Sequence, residues 1–546
     1  MGNAETKVDF RKAVLDLTSK NQKLDDATFW NQFWPSATSP LAKDVFNMIP
    51  QADIRALREN SPNNLATLCF KSVDTLIKAR DAMCPATDHK KVINCLRLLT
   101  RIIPFMLEDA EWRSYFWTAL PTENKEDASI PIAAALLSAL SDLLFCPNFT
   151  IAPPNNTIES LASLDSCECI WQAGVGFANK TPLNATFDAN RTEILKLLLT
   201  VFSEVIYAPV TEQNRMRWIT RFSSAENRHV LPLFTSLLNV VCSYDPVGYG
   251  LPYNYLLVND SREPLVQAAI QVLIVCLDRE SQPQNEESGY VDNFFVNYLS
   301  RIHREDDFDF MLKGLTRLLN NPLQASYLPN SSKKVMFHQE LLVLLWKCCE
   351  YNQKFMYYVL KTSDVLEILV RSSIISTTPE EIRLELDLST WSFLDSLVKW
   401  RKKLGVRLNK PFSSRGIIDV QAFTGTHADL LIIVCLSQTN YHRQPTTSSL
   451  FDCLLTIIVN VSPYLKSLSM VTANKLVHLV EAFSTPCVYC PKFEESKSKN
   501  GGPGDSTEKG LPTPSPWVAQ AESGSTAASS SAPQMTVEGK RAHSAI

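Results

Sequence analysis

The sequence predicts an all-α fold: an irregular helical solenoid of the armadillo or HEAT kind, followed by a disordered tail. Three observations predict it. Apolar residues recur at helical spacing in segment after segment, while strict alternation is rare. Glycine is scarce, 16 residues in 546, which argues against a turn-rich β chain or a dinucleotide-binding one. Near Pro491 the composition changes abruptly to a Ser-, Gly-, Pro- and Glu-rich run that cannot bury enough apolar surface to offset its ordering entropy. A chain of this length exceeds one compact core, so an extended array of repeats is the natural arrangement.

The individual helices follow from their stripes. In "RTEILKLLLTVFSEVIY" the residues Ile194, Leu197, Leu198, Val201, Phe202 and Val205 fall on one face of a 3.6-residue period. "EPLVQAAIQVLIVCLD" repeats the pattern with Leu265, Ala268, Ala269, Val272 and Cys276, and Pro264 suits a first helical turn. "FHQELLVLLWKCCE" places Phe337, Leu341, Leu344, Leu345 and Cys348 together. Further helices are expected near 8–20, 64–80, 90–108, 230–243, 308–320, 363–375, 384–403, 427–437, 449–461 and 472–484. Several are apolar nearly all round and must be sandwiched between neighbours. Spacing of about 20–40 residues between them fits helical repeats, without a strict consensus. Long loops are expected at 148–166 and 244–254. The domain reading is therefore an N-terminal segment 1–20, a helical domain 21–490 and a disordered tail 491–546.

Charge and composition exclude several classes. The net charge of −4 makes no general attractor for nucleic acid. Fourteen cysteines are scattered singly through apolar runs, such as Cys276 and Cys435, and read as small buried hydrophobes of a reducing compartment. The polar N-terminus does not read as a secretory signal, so the sequons at Asn148 and Asn184 are not expected to be glycosylated. The best candidate membrane spans, 130–145 with Asp142 inside it and 430–436, are too polar or too short.

Motifs that carry chemistry are thin. Cys487 and Cys490 form one CxxC pair and Cys167 and Cys169 a CxC pair; zinc needs four ligands, and neither pair has a companion. The glycines of "GVGFA" (174–178) and "GYG" (248–250) lack the spacing and context of a phosphate cradle and read as tight loops. "ENRH" (226–229) could assemble Glu226 and His229 into a site, but a polar helix start is the simpler reading. "EDDFD" (305–309) reads as a solvated face or a helix start. No catalytic set, metal site or cofactor site is expected.

The N-terminus is the exception. "MGNAET" matches M-G-x-x-x-[ST], the acceptor pattern for N-myristoylation, with Gly2 as the acylated residue and Thr6 and Lys7 as recognition context. A chance Met-Gly start is the competing reading. Lys7 and Arg11 share a helical face and would give weak electrostatic help, far short of a polybasic patch.

Several stretches resemble one family: "NLATLCFKSVDTL" (64–76), "LLTRIIPFMLED" (98–109), "SLDSCECIWQAGVGFA" (163–178), "ENRHVLPLFTSLLNVVCSYDPVGYGLPYNYLL" (226–257) and "REPLVQAAIQVLIVCLD" (262–278). With the Met-Gly start, they are similar to the high-temperature-induced dauer formation protein 1 family, which is related to dymeclin. The resemblance runs in order from residue 1 to about 484. It implies a non-enzymatic, myristoylated peripheral protein on the cytosolic face of Golgi and trans-Golgi membranes, with a cytosolic pool. It further implies work with trafficking or sorting proteins in loading neuropeptide and hormone cargo into dense-core vesicles, without nucleic acid or a small-molecule substrate. At "KLVHLVEAFST" (475–485) the family-like pattern gives way to "PCVYCPKFEESK", whereas related chains continue with further apolar helices. The expectation is a C-terminally shortened or divergent form. Two alternatives stand beside this reading: a soluble cytosolic scaffold without membrane attachment, and an unrecognised enzyme using Glu226 and His229 or the cysteines. Partner contacts are expected on the 244–257 loop.

Overall fold

The apolar stripes of the sequence become helices in the computed structural model, which describes residues 2–35, 42–118, 130–153, 169–209, 212, 215–246, 260, 262–278, 292–321, 335–362, 409, 411, 425–441 and 448–484. The chain divides into two units, Met1–Ser484 and Thr485–Ile546, and all the described residues belong to the first. The helices expected at 363–375 and 384–403, the tail 491–546, Cys167, and the Cys487 and Cys490 pair lie outside the described residues.

The helices are α1 (Gly2–Ser19), α2 (Ala27–Trp30), α3 (Ala42–Met48), α4 (Gln51–Asn60), α5 (Pro62–Asp81), α6 (His89–Leu107), α7 (Ala110–Tyr115), α8 (Ile132–Leu143), α9 (Ala185–Phe202) and α10 (Glu204–Tyr207). They continue with α11 (Arg217–Phe222), α12 (Val230–Ser243), α13 (Glu263–Leu277), α14 (Phe294–Arg301), α15 (Glu305–Asn320), α16 (His338–Tyr351), α17 (Gln353–Thr362), α18 (His427–Tyr441), α19 (Ser448–Val461) and α20 (Met470–Ser484). Among the described residues there is no strand, only isolated bridges. The fold is the all-α, solenoid-like array expected.

Helix ends follow local chemistry. Pro62 and Pro264 sit in first turns, where a missing N–H costs nothing. Asn184 and Asn293 cap α9 and α14, each accepting from two backbone N–H groups. Asn184, part of one sequon, is thus an N-cap; Asn148, part of the other, occupies a left-handed turn with φ 62°. The acidic run at 305–309 opens α15 and lies at the positive end of its dipole. Expectation and structure differ at 191–207. There the stripe predicts one helix, but the chain bends at Ser203, whose hydroxyl donates to the Thr200 carbonyl at 2.6 Å. The bend brings buried Glu204 onto Arg217 at 2.6 Å, an ion pair between segments that no local period reveals.

Packing is neighbour to neighbour. The helix α5 lies between α8 and α6; α6 packs on α9, α9 on α13, and α13 on α16, while α12 packs on α13, α14 and α15. Every apolar residue named above for the α13 and α16 stripes is buried, and so are Cys276 and Cys435. At the far end, α18 packs against α19 and α20, and α20 leaves Met470, Val471, Val477 and Val480 exposed.

The tightest crossing is between α15 and α12. A Cβ on Gly314 would lie 2.2 Å from the carbonyl oxygen of Cys242 and 2.7 Å from its Cα, so the two backbones touch with no room for a side chain. Arg317, one turn on, donates to the Cys242 and Tyr244 carbonyls at 3.0 and 2.7 Å and closes the end of α12. Gly314→Ala should therefore lower stability by about 1–3 kcal/mol, although alanine is the better helix former. A thermal melt followed by circular dichroism checks this; an unchanged or higher midpoint would refute the close crossing.

Candidate functional site

Two places in the chain carry the sequence-level expectations of function: the N-terminal helix and the segment around His229. Helix α1 begins at Gly2. From its second half, Phe10, Ala13, Val14 and Leu17 are buried. They pack against α3, α4 and the aromatic turn after α2, with the Phe10 and Phe33 rings edge to face at 5.5 Å. Asn64 donates to the Leu17 and Lys20 carbonyls at 2.8 and 2.7 Å and closes the helix end. Arg11 is ion-paired with Asp53 and donates to the Met48 carbonyl at 3.0 Å. Its charge therefore belongs to the fold, which removes half of the basic pair expected to assist a membrane contact. Lys20 is paired with Asp16 at 3.1 Å. The apolar face formed by Phe10, Ala13, Val14 and Leu17 is turned into the core. The side chains of residues 1–9, Thr6 and Lys7 among them, lie outside the described residues.

The "ENRH" segment does not assemble the site that Glu226 and His229 suggested. Glu226 pairs with Arg221 at 2.5 Å. His229 stands at the N-cap position of α12 and its Nε2 lies 2.7 Å from Asp142 Oδ1, with its ring stacked on Phe145 at 5.1 Å. Arg228 grips the same oxygen through Nε and a terminal nitrogen, at 2.9 and 2.7 Å, and Arg80 approaches Asp142 at 3.9 Å. Burial alone would raise the Asp142 carboxyl, but the hydrogen bonds from His229 and Arg228 prevail and hold it below the usual carboxylate range. The cluster ties the end of α8 to the start of α12. Its chemistry is that of a charge clamp. Sequence reading met Asp142 only as a charge spoiling a membrane span; its partners are too remote in sequence for spacing to reveal.

The remaining candidates fall into place as structure. The "GVGFA" loop is the tight turn expected: Gly174 and Phe177 pair, and Gly176 has φ +65°. Buried Asn239 of α12 holds it, accepting from the Val175 N–H at 2.8 Å and donating to the Gln172 and Val175 carbonyls at 3.0 and 3.3 Å. Of the 244–257 loop only residues 244–246 are described; Tyr244 is buried and donates to Asp260 at 2.6 Å. Among the described residues no group of three or more His, Cys, Asp or Glu could hold a metal, and no helix is long and apolar enough to cross a membrane.

The Asp142 clamp makes a prediction. Its folded pKa is depressed, so its contribution to stability is present above about pH 4 and is lost as the pH falls through the folded value. Asp142→Asn should cost about 2 kcal/mol at neutral pH, the scale of hydrogen bonds to a charged group, and flatten the acid limb of the stability curve. Urea titrations across the acid range measure both; a variant with the wild-type pH dependence would show that the clamp contributes nothing.

Comparison with known proteins completes the picture. The sequence model of the family described as "High-temperature-induced dauer-formation protein" (Hid1) matches residues 1–492. The chain is 51% identical to Protein HID1 of Mus musculus over 521 residues, and 51% identical to Protein HID1 of Homo sapiens over 523 residues, covering 89% of this chain and 65% of each relative. It thus spans just under two thirds of the length of these curated relatives. A Schizosaccharomyces pombe protein named Ubp5-interacting protein ftp105 is 25% identical over 594 residues, covering 89% of this chain and 63% of its own. No solved structure matches. The match over nearly the whole helical array, beginning at the Met-Gly start, leaves one assignment: the chain belongs to the high-temperature-induced dauer-formation protein (Hid1) family.

Proposed function

We propose that this protein is a non-catalytic scaffold, myristoylated on Gly2, that sits peripherally on the cytosolic face of Golgi and trans-Golgi membranes. There it would help form dense-core secretory vesicles and sort their cargo. The observation that carries the reading is family membership that runs from residue 1, together with the M-G-x-x-x-[ST] acceptor pattern at that start. The helical array supports a role in presenting surfaces to other proteins. The names of the relatives agree with a protein-binding role, since one is named for its interaction with Ubp5. The polar residues that could have suggested an enzyme are spoken for: Glu226 by Arg221, and His229 by Asp142.

A single myristoyl chain binds membranes weakly and reversibly, with a partition constant of about 10⁴ per molar. Stable residence needs a second signal. Arg11 is paired with Asp53, and Phe10, Ala13, Val14 and Leu17 of α1 are turned into the core, so we do not assign the second signal to this helix. We propose instead a protein partner on the membrane, with a mixed pool, part cytosolic and part Golgi-bound, as the consequence. Gly2→Ala should move the protein from floated membranes to the soluble fraction and abolish incorporation of a myristate analogue. Wild-type protein that takes up no label would favour the second reading, a soluble scaffold without membrane attachment. A Gly2→Ala variant that floats unchanged would assign attachment to protein contacts alone.

A further inference from the structure

Helix α6 keeps one stripe at the surface. Arg97, Arg101, Phe105 and Glu108 recur at helical spacing and are all half-buried, while Leu98, Leu99, Ile102, Ile103, Met106 and Leu107 are buried. The helix packs against α3, α4, α9 and α10, so the stripe lies recessed among neighbours. From α3 comes Phe46, a ring left 43% exposed, and from α4 come Arg55 and Arg58. The Arg101 guanidinium lies 4.7 Å from the centre of the Phe46 ring and 5.3 Å from that of Phe105, and the Arg55 guanidinium lies 5.2 Å from Phe105. Rings and cations therefore alternate in the order Phe46, Arg101, Phe105, Arg55. Helix α10, also packed on α6, leaves Ile206 and Tyr207 exposed.

Along this stripe each described carboxylate is already taken. Glu108 pairs with both Arg55 and Arg58, at 2.7 and 2.9 Å, and Arg58 also donates to the Phe105 carbonyl at 2.6 Å. Glu193 of α9 pairs with Arg97 at 3.1 Å and with Lys196 at 3.6 Å, and exposed Glu59 approaches Arg58 at 3.8 Å. Arg101 has no carboxylate among the described residues. Its Nε donates to the Ile49 carbonyl at 2.9 Å, and its two terminal nitrogens have no partner there. Burial lowers its pKa with no counter-charge to offset the effect. A half-buried guanidinium without a counterion costs free energy, and its free fork of N–H groups has the geometry of a carboxylate partner. This excess of positive charge stands out on a chain whose net charge is −4.

We infer that the exposed stripe of α6 docks an acidic segment of a partner protein, which places an aspartate or glutamate carboxylate on the Arg101 guanidinium and a neighbouring apolar side chain against Phe46. This rests on the reading of the chain as a protein-binding scaffold, and it gives that reading a surface. Charge selects an acidic occupant, because Arg101 is the cation that lacks a counterion while Arg55, Arg58 and Arg97 each have one. Shape selects a peptide over a bilayer. The Arg101 head lies between two rings in a recess among helices, where a projecting side chain can enter and a flat lipid surface cannot follow. Phe46 supplies the exposed aromatic contact that such an interface needs beside its ion pair.

The test pans a phage library of short random peptides against the purified full-length chain and measures the selected peptides in solution by fluorescence polarisation. The expected binders carry an aspartate or glutamate beside an apolar residue, and their affinity falls as salt is raised. Arg101→Glu should weaken them about tenfold or more, the scale of a hydrogen bond to a charged group. A peptide with lysine in place of its carboxylate should prefer Arg101→Glu to the wild type. Phe46→Ala trims an exposed ring, so it should keep the fold by circular dichroism and weaken the same peptides. Gly2→Ala should bind them as the wild type does, so a failed membrane reading and a failed docking groove give different results. Selected peptides that lack acidic residues, or that ignore both Arg101→Glu and Phe46→Ala, would overturn the inference. A library that yields no binder would overturn it too, and if vesicles of phosphatidylcholine and phosphatidylserine then captured the wild type but not Arg101→Glu, the stripe would belong to lipid headgroups. If Arg101→Glu does not fold, Phe46→Ala and the salt dependence decide.

Discussion

Helix α12 has almost no wet face, and the rest of the array is arranged around that fact. From Val230 to Cys242 every side chain but Leu231 is buried. A helix buried on all sides needs partners on all sides, and it finds them in α13, α14 and α15. Its few polar side chains cannot reach water, so each must be satisfied by another segment. Ser236 accepts from the Trp171 N–H at 3.2 Å, and Asn239 takes hold of the turn at 172–175. The loop at 169–177 is therefore shaped by the polar needs of a helix some 60 residues later. The ends of α12 are closed in the same way, by Asp142 at one end and Arg317 at the other.

This explains what could be read in the sequence and what could not. Long helices with a clear apolar stripe, such as α12, α13 and α16, were legible because the 3.6-residue period is a local property. The short helices α2, α3, α7 and α11 were not, because fewer than two turns show no period. Neither was the break at Ser203, which exists so that Glu204 can meet Arg217. At the candidate sites the limit is the same. The M-G-x-x-x-[ST] pattern at Gly2 is contiguous and could be seen. The partner of His229 lies at Asp142, a distance at which spacing holds no information.

The residues that resemble chemistry on paper mostly serve as mechanical joints. Glycines at 174–176 form a turn, the carboxylates at 305–309 start a helix, and the histidine of "ENRH" clamps one helix end to another. Joints of this kind fix the relative placement of helices. They also concentrate charge pairs at helix ends, as at Asp142 and Glu204.

The docking of α1 has a consequence for geometry at a membrane. From Phe10 onward the helix is clamped by Phe33, Asp53 and Asn64. At the rise of an α-helix, eight residues separate Gly2 from Phe10 by about 12 Å. A lipid at Gly2 would thus be carried on a short stalk continuous with the array, unlike a lipid on a long flexible leader. Such a stalk limits both the height and the tilt of the protein over the bilayer. Only those helical faces turned sideways or outward at that tilt could be reached by a partner embedded alongside, so the attachment point would select the working surface of the scaffold as well as its address.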